Sequence, residues 1–90
     1  MPIVYVIYND INDKKYVGCT TKSIEDRFSS HVADSKKAKY RHRPLYIDMG
    51  RFGLEHFFID KLEDVDESDM FVQEEFWISK LDSYYIGYNM

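Results

Sequence analysis

Ninety residues suffice for one hydrophobic core and leave no room for a second, so a single domain over residues 1–90 is expected. Hydrophobic residues make up 44% and aromatics 17%, yet no apolar run approaches the roughly 20 residues of a membrane span and the start lacks the basic-then-apolar form of a signal peptide; a soluble, cytoplasmic protein with no membrane partner is expected. The net charge of −4 argues against a nucleic-acid partner until its distribution is read: residues 1–51 hold ten Lys/Arg against six Asp/Glu and residues 52–90 two against ten, so one face can be basic while another is acidic.

Ile3 to Tyr8, IVYVIY, is β-branched and aromatic and apolar on both faces, which predicts a strand covered on both sides. Tyr5 shares a face with Ile3 and Ile7, where a tyrosine is ordinarily a core residue with a satisfied hydroxyl. Asn9 to Asp13 is turn chemistry and predicts a hairpin whose second strand runs from about Lys14 to Gly18, bringing Tyr5 and Tyr16 together. Gly18 ends that strand and lets the backbone turn sharply or approach a ligand closely. Cys19 is alone, which excludes a disulfide framework and a cysteine metal site, and reads as a small residue beside the turn.

Ser23, followed by Glu25 and Asp26, is a good N-cap, so a helix starts at Ile24. Ile24, Phe28 and Val32 recur every four residues and predict its buried stripe, while Arg27 and His31 sit four apart on an adjacent face. That pair is either a solvated helix flank or a grip for a phosphate oxygen, since a guanidinium forks onto phosphate and an imidazole exchanges protons near neutral pH.

Lys36 to Arg43, KKAKYRHR, concentrates Lys36, Lys37, Lys39, Arg41 and Arg43 around Tyr40 and His42. Such a run is most often a solvated loop, and its composition also suits a phosphate backbone. Pro44 opens a second helix to about Phe52, with Leu45, Met49 and Phe52 buried and Gly53 as the stop. A third strand is expected over His56 to Leu62.

Asp66 or Ser68 is expected to cap a last helix that runs to about Leu81. Met70, Trp77 and Leu81, with Phe71 and Ile78, form its predicted apolar stripe, and Glu74 falls in the middle of it. A carboxylate there is costly unless paired: either an arginine such as Arg27 answers it, or it ligates a divalent cation together with waters and a substrate phosphate. Glu75 lies at the stripe's edge, where a surface residue is admissible. The tail, Tyr84 to Asn89, is expected to fold back as a turn or short strand. The chain has no internal repeat, P-loop, dinucleotide fingerprint, cysteine–histidine zinc pattern or Ser-His-Asp spacing.

With Tyr5, Tyr16-Val17-Gly18, Arg27, His31, Glu74 and Gly87-Tyr88-Asn89 in view, the chain resembles the GIY-YIG nuclease family, and within it the catalytic modules of phage-type homing endonucleases. IVY at 3–5 stands where the first motif belongs, with Ile3 in place of its glycine, and YVG at 16–18 where the second does. RFSSH, FGLEHFFIDKLED, EEFWISKL and a closing GYN follow in the family's order. The resemblance implies an α+β fold, a small three-stranded antiparallel sheet flanked by helices, and divalent-metal-dependent hydrolysis of DNA phosphodiesters.

By the same resemblance Glu74 would bind a single Mg²⁺ or Mn²⁺, and Tyr5 or Tyr16 would deprotonate or position the attacking water. Arg27 would hold the scissile phosphate, His31 would assist proton transfer or phosphate binding, Asn89 would sit at the edge of the site, and Lys14 would contact the phosphate or a tyrosine hydroxyl. Gly18 and the Lys36–Arg43 segment would lie along the DNA. Homing enzymes of this kind usually carry a further DNA-binding domain, so either an isolated catalytic domain or a minimal nuclease, phage- or virus-encoded, is expected. The alternatives are a non-catalytic nucleic-acid-binding module of the same fold and, more remotely, a protein-interaction domain.

Overall fold

The structure, a computed structural model, describes residues 1–40 and 42–89. Its elements in chain order are β1 (Ile3–Asn9), β2 (Tyr16–Thr20), α1 (Ile24–Ser35), α2 (Pro44–Phe52), β3 (Phe57–Asp64) and α3 (Met70–Lys80). The strands form one antiparallel sheet in the order β2-β1-β3, and the helices flank it, as expected of the α+β class. The two-sided apolar pattern of β1 has its explanation here, because β1 is the central strand and is covered on both faces.

Ile3, Tyr5 and Ile7 on one face pack against Leu45, Tyr46 and Met49 of α2, with Ile24 and Phe28 of α1 at the margin. Val4, Val6, Val17 and Val65 on the other face meet Met70, Trp77 and Ile78 of α3 and Leu81 just after it. Deleting a buried aliphatic such as Ile7 from a core this thin costs about 2–5 kcal/mol. Trp77 Nε1 and Gln73 Nε2 both donate to Glu63 at 2.8 Å, which pins α3 to β3 and fixes its rotation.

Several element boundaries differ from the sequence expectation, each for a local reason. β2 starts at Tyr16 rather than Lys14, because Asn9 Oδ1 accepts the Ile11 and Asn12 amides at 2.8 and 2.7 Å and Asn12 Oδ1 accepts the Lys14 amide at 2.9 Å. Those asparagines hold the loop and occupy an amide that a longer strand would need. β2 then runs through Gly18 to Thr20, so there is no turn at Gly18 and Cys19 is a strand residue. His56 belongs to a 3₁₀ turn before β3, which begins at Phe57.

Ser23 caps α1 as expected, its hydroxyl accepting the Asp26 amide at 3.1 Å. The expected stripe of α1 holds in part: Ile24 and Phe28 pack against the core but, like Val32, are only half-buried, and the fully buried residue is His31, 2% exposed. α2 runs over the expected span, with Pro44 in its first turn, Leu45 and Met49 buried, Phe52 only half-buried at the margin of the core, and Gly53 ending it at a φ of 101° that favours glycine. Neither Asp66 nor Ser68 caps α3; a 3₁₀ turn over Glu67–Asp69 leads straight into it, and Asp69 at the boundary makes no side-chain cap. Phe71 also departs from the stripe and is 72% exposed. The tail is a turn and not a strand.

Candidate active site

Tyr5 on β1 and Gly18 on β2 are direct partners across the strand pair, and the tyrosine ring lies over the glycine. A Cβ at Gly18 would overlap the Tyr5 ring and hydroxyl, so the glycine makes room for Tyr5, not for a turn. The Tyr16 ring stands beside the Tyr5 ring, centroids 6.4 Å apart, and edge-on to the His31 ring at 5.2 Å. The hairpin therefore brings the two tyrosines together as expected.

α1 adds Arg27 and His31 from above that pair. Both face the sheet instead of lining a solvated flank. Arg27 Nε donates to the Tyr5 hydroxyl at 3.1 Å, and the same hydroxyl lies 2.8 Å from His31 Nε2. His31 Nδ1 lies 2.8 Å from the hydroxyl of Tyr46, a buried α2 residue that sequence reasoning passed over. Nothing in the sequence marks Tyr46, because α2's apolar spacing assigns it to packing and only the fold brings it to His31. The terminal guanidinium nitrogens of Arg27 have no partner among the described residues.

Burial sets the electrostatics of the cluster. It raises the Tyr5 and Tyr16 hydroxyls above their usual range, with Glu74 adding to the rise and Arg27 opposing it. Burial, reinforced by the Arg27 charge, lowers His31 to about 4, so the imidazole is neutral at pH 7. Tyr5 is sealed from solvent. Tyr16 is half-buried, and its hydroxyl has no hydrogen-bond partner among the described residues.

Glu74 enters from α3 on the far side of β2. It is half-buried and near the Cys19 thiol, which burial and then the Glu74 charge push up to about 11. Among the described residues Glu74 makes no ion pair, so the Arg27 partnership considered from the sequence does not form; Arg27 is engaged with Tyr5. Glu75 is exposed, as expected. No three His, Cys, Asp or Glu side chains come together among the described residues. A hard cation here would therefore rest on Glu74, a hard oxygen donor without a competing cation, plus water and substrate, a pattern that suits Mg²⁺ or Mn²⁺.

The remaining expected residues divide. Asn89 does not reach the cluster: its Oδ1 accepts the Val17 amide at 2.7 Å and its Nδ2 donates to the Val17 carbonyl at 2.8 Å, so it pairs with the open edge of β2 as a neighbouring strand would. Tyr88 beside it is held by Asn9 Nδ2 and by Asp48, at 2.9 and 2.8 Å. Lys14 is exposed in the loop before β2 and makes no side-chain contact with a tyrosine hydroxyl among the described residues. Lys36, Lys37 and Lys39 are exposed beyond α1; Arg41 lies outside the described residues. Arg43 stacks over the Tyr40 ring at 4.8 Å. Together with Tyr16, Tyr46, Tyr88 and Asn89, it lines a cavity of about 420 Å³ beside the cluster.

The family model described as the GIY-YIG catalytic domain matches residues 1–89. Among solved structures, the catalytic domain of the homing endonuclease I-TevI is similar at a TM-score of 0.84 and 29% identity, over 98% of this chain and 96% of that one. A second structure of that domain, carrying a glutamate-to-alanine substitution, is similar at 0.85 and 30% identity, over 99% and 93%. The uncharacterized protein 019R of Invertebrate iridescent virus 6 is 38% identical over 71 residues, covering 76% of this chain and 24% of its own length. The chain thus spans about a quarter of the length of the curated relatives it matches.

Proposed function

The chain belongs to the GIY-YIG family of nuclease domains, and from that premise we propose that it is a divalent-metal-dependent endonuclease hydrolysing DNA phosphodiesters. The observation that carries the reading is the Tyr5–Arg27–His31 hydrogen-bond cluster, with Glu74 across β2 close enough for its charge to act on the Tyr5 and Tyr16 hydroxyls. In-line hydrolysis needs a grip on the scissile phosphate, an oriented water and a sink for the charge that develops on phosphorus.

Arg27 fills the first need. Its Nε is committed to Tyr5, which leaves the terminal N–H groups to fork onto phosphate oxygens. Tyr5, buried and doubly bonded, orients the guanidinium and does not itself meet the water. Tyr16, half-buried where Tyr5 is sealed and with no hydrogen-bond partner for its hydroxyl among the described residues, is the better placed of the two tyrosines to orient the nucleophile. Neither is a base at neutral pH, since both hydroxyls sit above the normal tyrosine value of about 10. His31 is sealed in the core and neutral, so it acts on the phosphate through Tyr5 and not by touching it.

Glu74 would hold one Mg²⁺ or Mn²⁺, which would supply positive charge to lower the pKa of a water and to neutralise the phosphate in the transition state. Among the described residues no helix is long and apolar enough to cross a membrane, and relatives in an invertebrate virus support a viral origin.

The test is supercoiled-plasmid cleavage with Mg²⁺, Mn²⁺ or EDTA, run beside Glu74→Ala and Arg27→Ala. Nicking that needs the metal and falls at least a hundredfold in each variant, both still folded by circular dichroism, is expected. Undiminished cleavage in both variants would sink the assignment. A wild type that retards DNA in a gel without cutting it under any divalent metal would make the domain a binding module.

A further inference from the structure

Tyr46 has no role in the reading above, yet it is one of the two groups that hydrogen-bond His31. Its hydroxyl lies 2.8 Å from Nδ1 and that of Tyr5 lies 2.8 Å from Nε2, and all three residues are buried. A neutral imidazole offers one N–H and one lone pair, so one tyrosine donates to the ring and the other accepts from it. Arg27 favours one of the two orders. Because its Nε–H donates to the Tyr5 oxygen, the Tyr5 proton needs an acceptor of its own, and Nε2 is the acceptor within reach among the described residues. With the hydrogen on Nε2 instead, the Tyr5 oxygen would receive two N–H groups while its own proton stayed buried and unpaired, the costlier arrangement.

One assignment leaves no proton stranded in the sealed part of the chain: Arg27 Nε–H to Tyr5, Tyr5 O–H to His31 Nε2, His31 Nδ1–H to Tyr46, whose own proton is left for water because Tyr46 lines the cavity. We propose that Tyr46 is a positioning residue that locks the orientation of the Arg27 guanidinium through this buried chain. By accepting the Nδ1 proton it keeps Nε2 bare, which commits the Tyr5 proton to His31 and turns the Tyr5 oxygen lone pair to Arg27. The hydrogen-bond order stands on the geometry alone; its use in gripping a phosphate rests on the nuclease reading.

Long-range ¹⁵N NMR of the His31 imidazole reads the order directly. At neutral pH the wild type is expected to show a protonated Nδ1 and a bare Nε2. In Tyr46→Phe, which keeps the ring in the core, the single tautomer is lost and the two nitrogen shifts converge, while plasmid nicking loses at least tenfold in kcat with little change in KM. A wild-type Nε2–H tautomer overturns the proposal without recourse to any variant, as does Tyr46→Phe with unchanged shifts and rate. A wild type that cuts no DNA, but whose locked tautomer loosens in Tyr46→Phe, removes the nuclease reading and supports the hydrogen-bond order.

Discussion

His31 shows how burial redefines a residue that sequence spacing presents as a cationic flank. Its neighbours are two tyrosine hydroxyls and the Arg27 cation, and burial with that charge lowers it from 6.5 to about 4. The folded state therefore binds the proton more weakly than the unfolded chain does. Stability is complete above pH 6.5 and is lost as the pH falls from 6.5 toward about 4. At about 1.4 kcal/mol per unit, the loss reaches about 3 kcal/mol. Urea unfolding across that window should show the wild type losing close to one proton's worth of stability per pH unit, while His31→Gln follows a flatter line. Parallel curves would mean that the imidazole is hydrated in the folded protein. Hydrophobic patterning misses this because it scores histidine as polar, and a buried histidine with both nitrogens bonded looks, in one dimension, like a surface residue.

At the scale of elements, the β1–β2 pair is what assembles the cluster, and its tolerance is set by Gly18. Tyr5 is anchored by Arg27 and His31 and cannot swing away from a new methyl group. Gly18→Ala should therefore cost about 1–3 kcal/mol in thermal or urea unfolding, as overpacked sites do, and should lower nicking at least tenfold by displacing the tyrosine. A variant within 0.5 kcal/mol of the wild type and equally active would show that the strands can separate locally. The strands and helices were legible because period and composition act locally: IVYVIY, Ser23 before Ile24, Pro44 and Gly53 each declare an element within a few residues. Boundaries moved where side chains replaced backbone partners, as Asn9 and Asn12 do in the hairpin loop and Asn89 does along the edge of β2. Of the candidate site, Tyr5, Tyr16, Arg27 and His31 come together. The place of Tyr46 and the nearness of Cys19 to Glu74 were not legible, because only tertiary packing creates them.

For the whole molecule, the uneven charge decides how a duplex would approach. The half that carries Arg27 and the Lys36–Arg43 segment has an excess of four positive charges, and the half that carries Glu74 an excess of eight negative ones. Net charge alone would repel DNA, so on the proposed function binding would be local and oriented, with the basic segment leading and, of the acidic half, only the Glu74 region brought to the phosphate. Lys36, Lys37 and Lys39 are exposed, and the one ion pair among them, Lys37 with Asp34 at 3.3 Å, is too open to hold the ammonium against a phosphate. None of the three reaches the tyrosine–histidine cluster, so affinity and chemistry should separate. Replacing all three with glutamine should flatten the dependence of log K on log salt by about 2–3 units, as the release of three fewer counterions requires, and should leave kcat at saturating DNA unchanged. An unaltered salt slope would move the DNA path off this segment and onto the cavity rim, where Arg43 and His42 stand next to Tyr16. A loss of kcat without a change in slope would instead show that the segment shapes the site and does not hold the backbone.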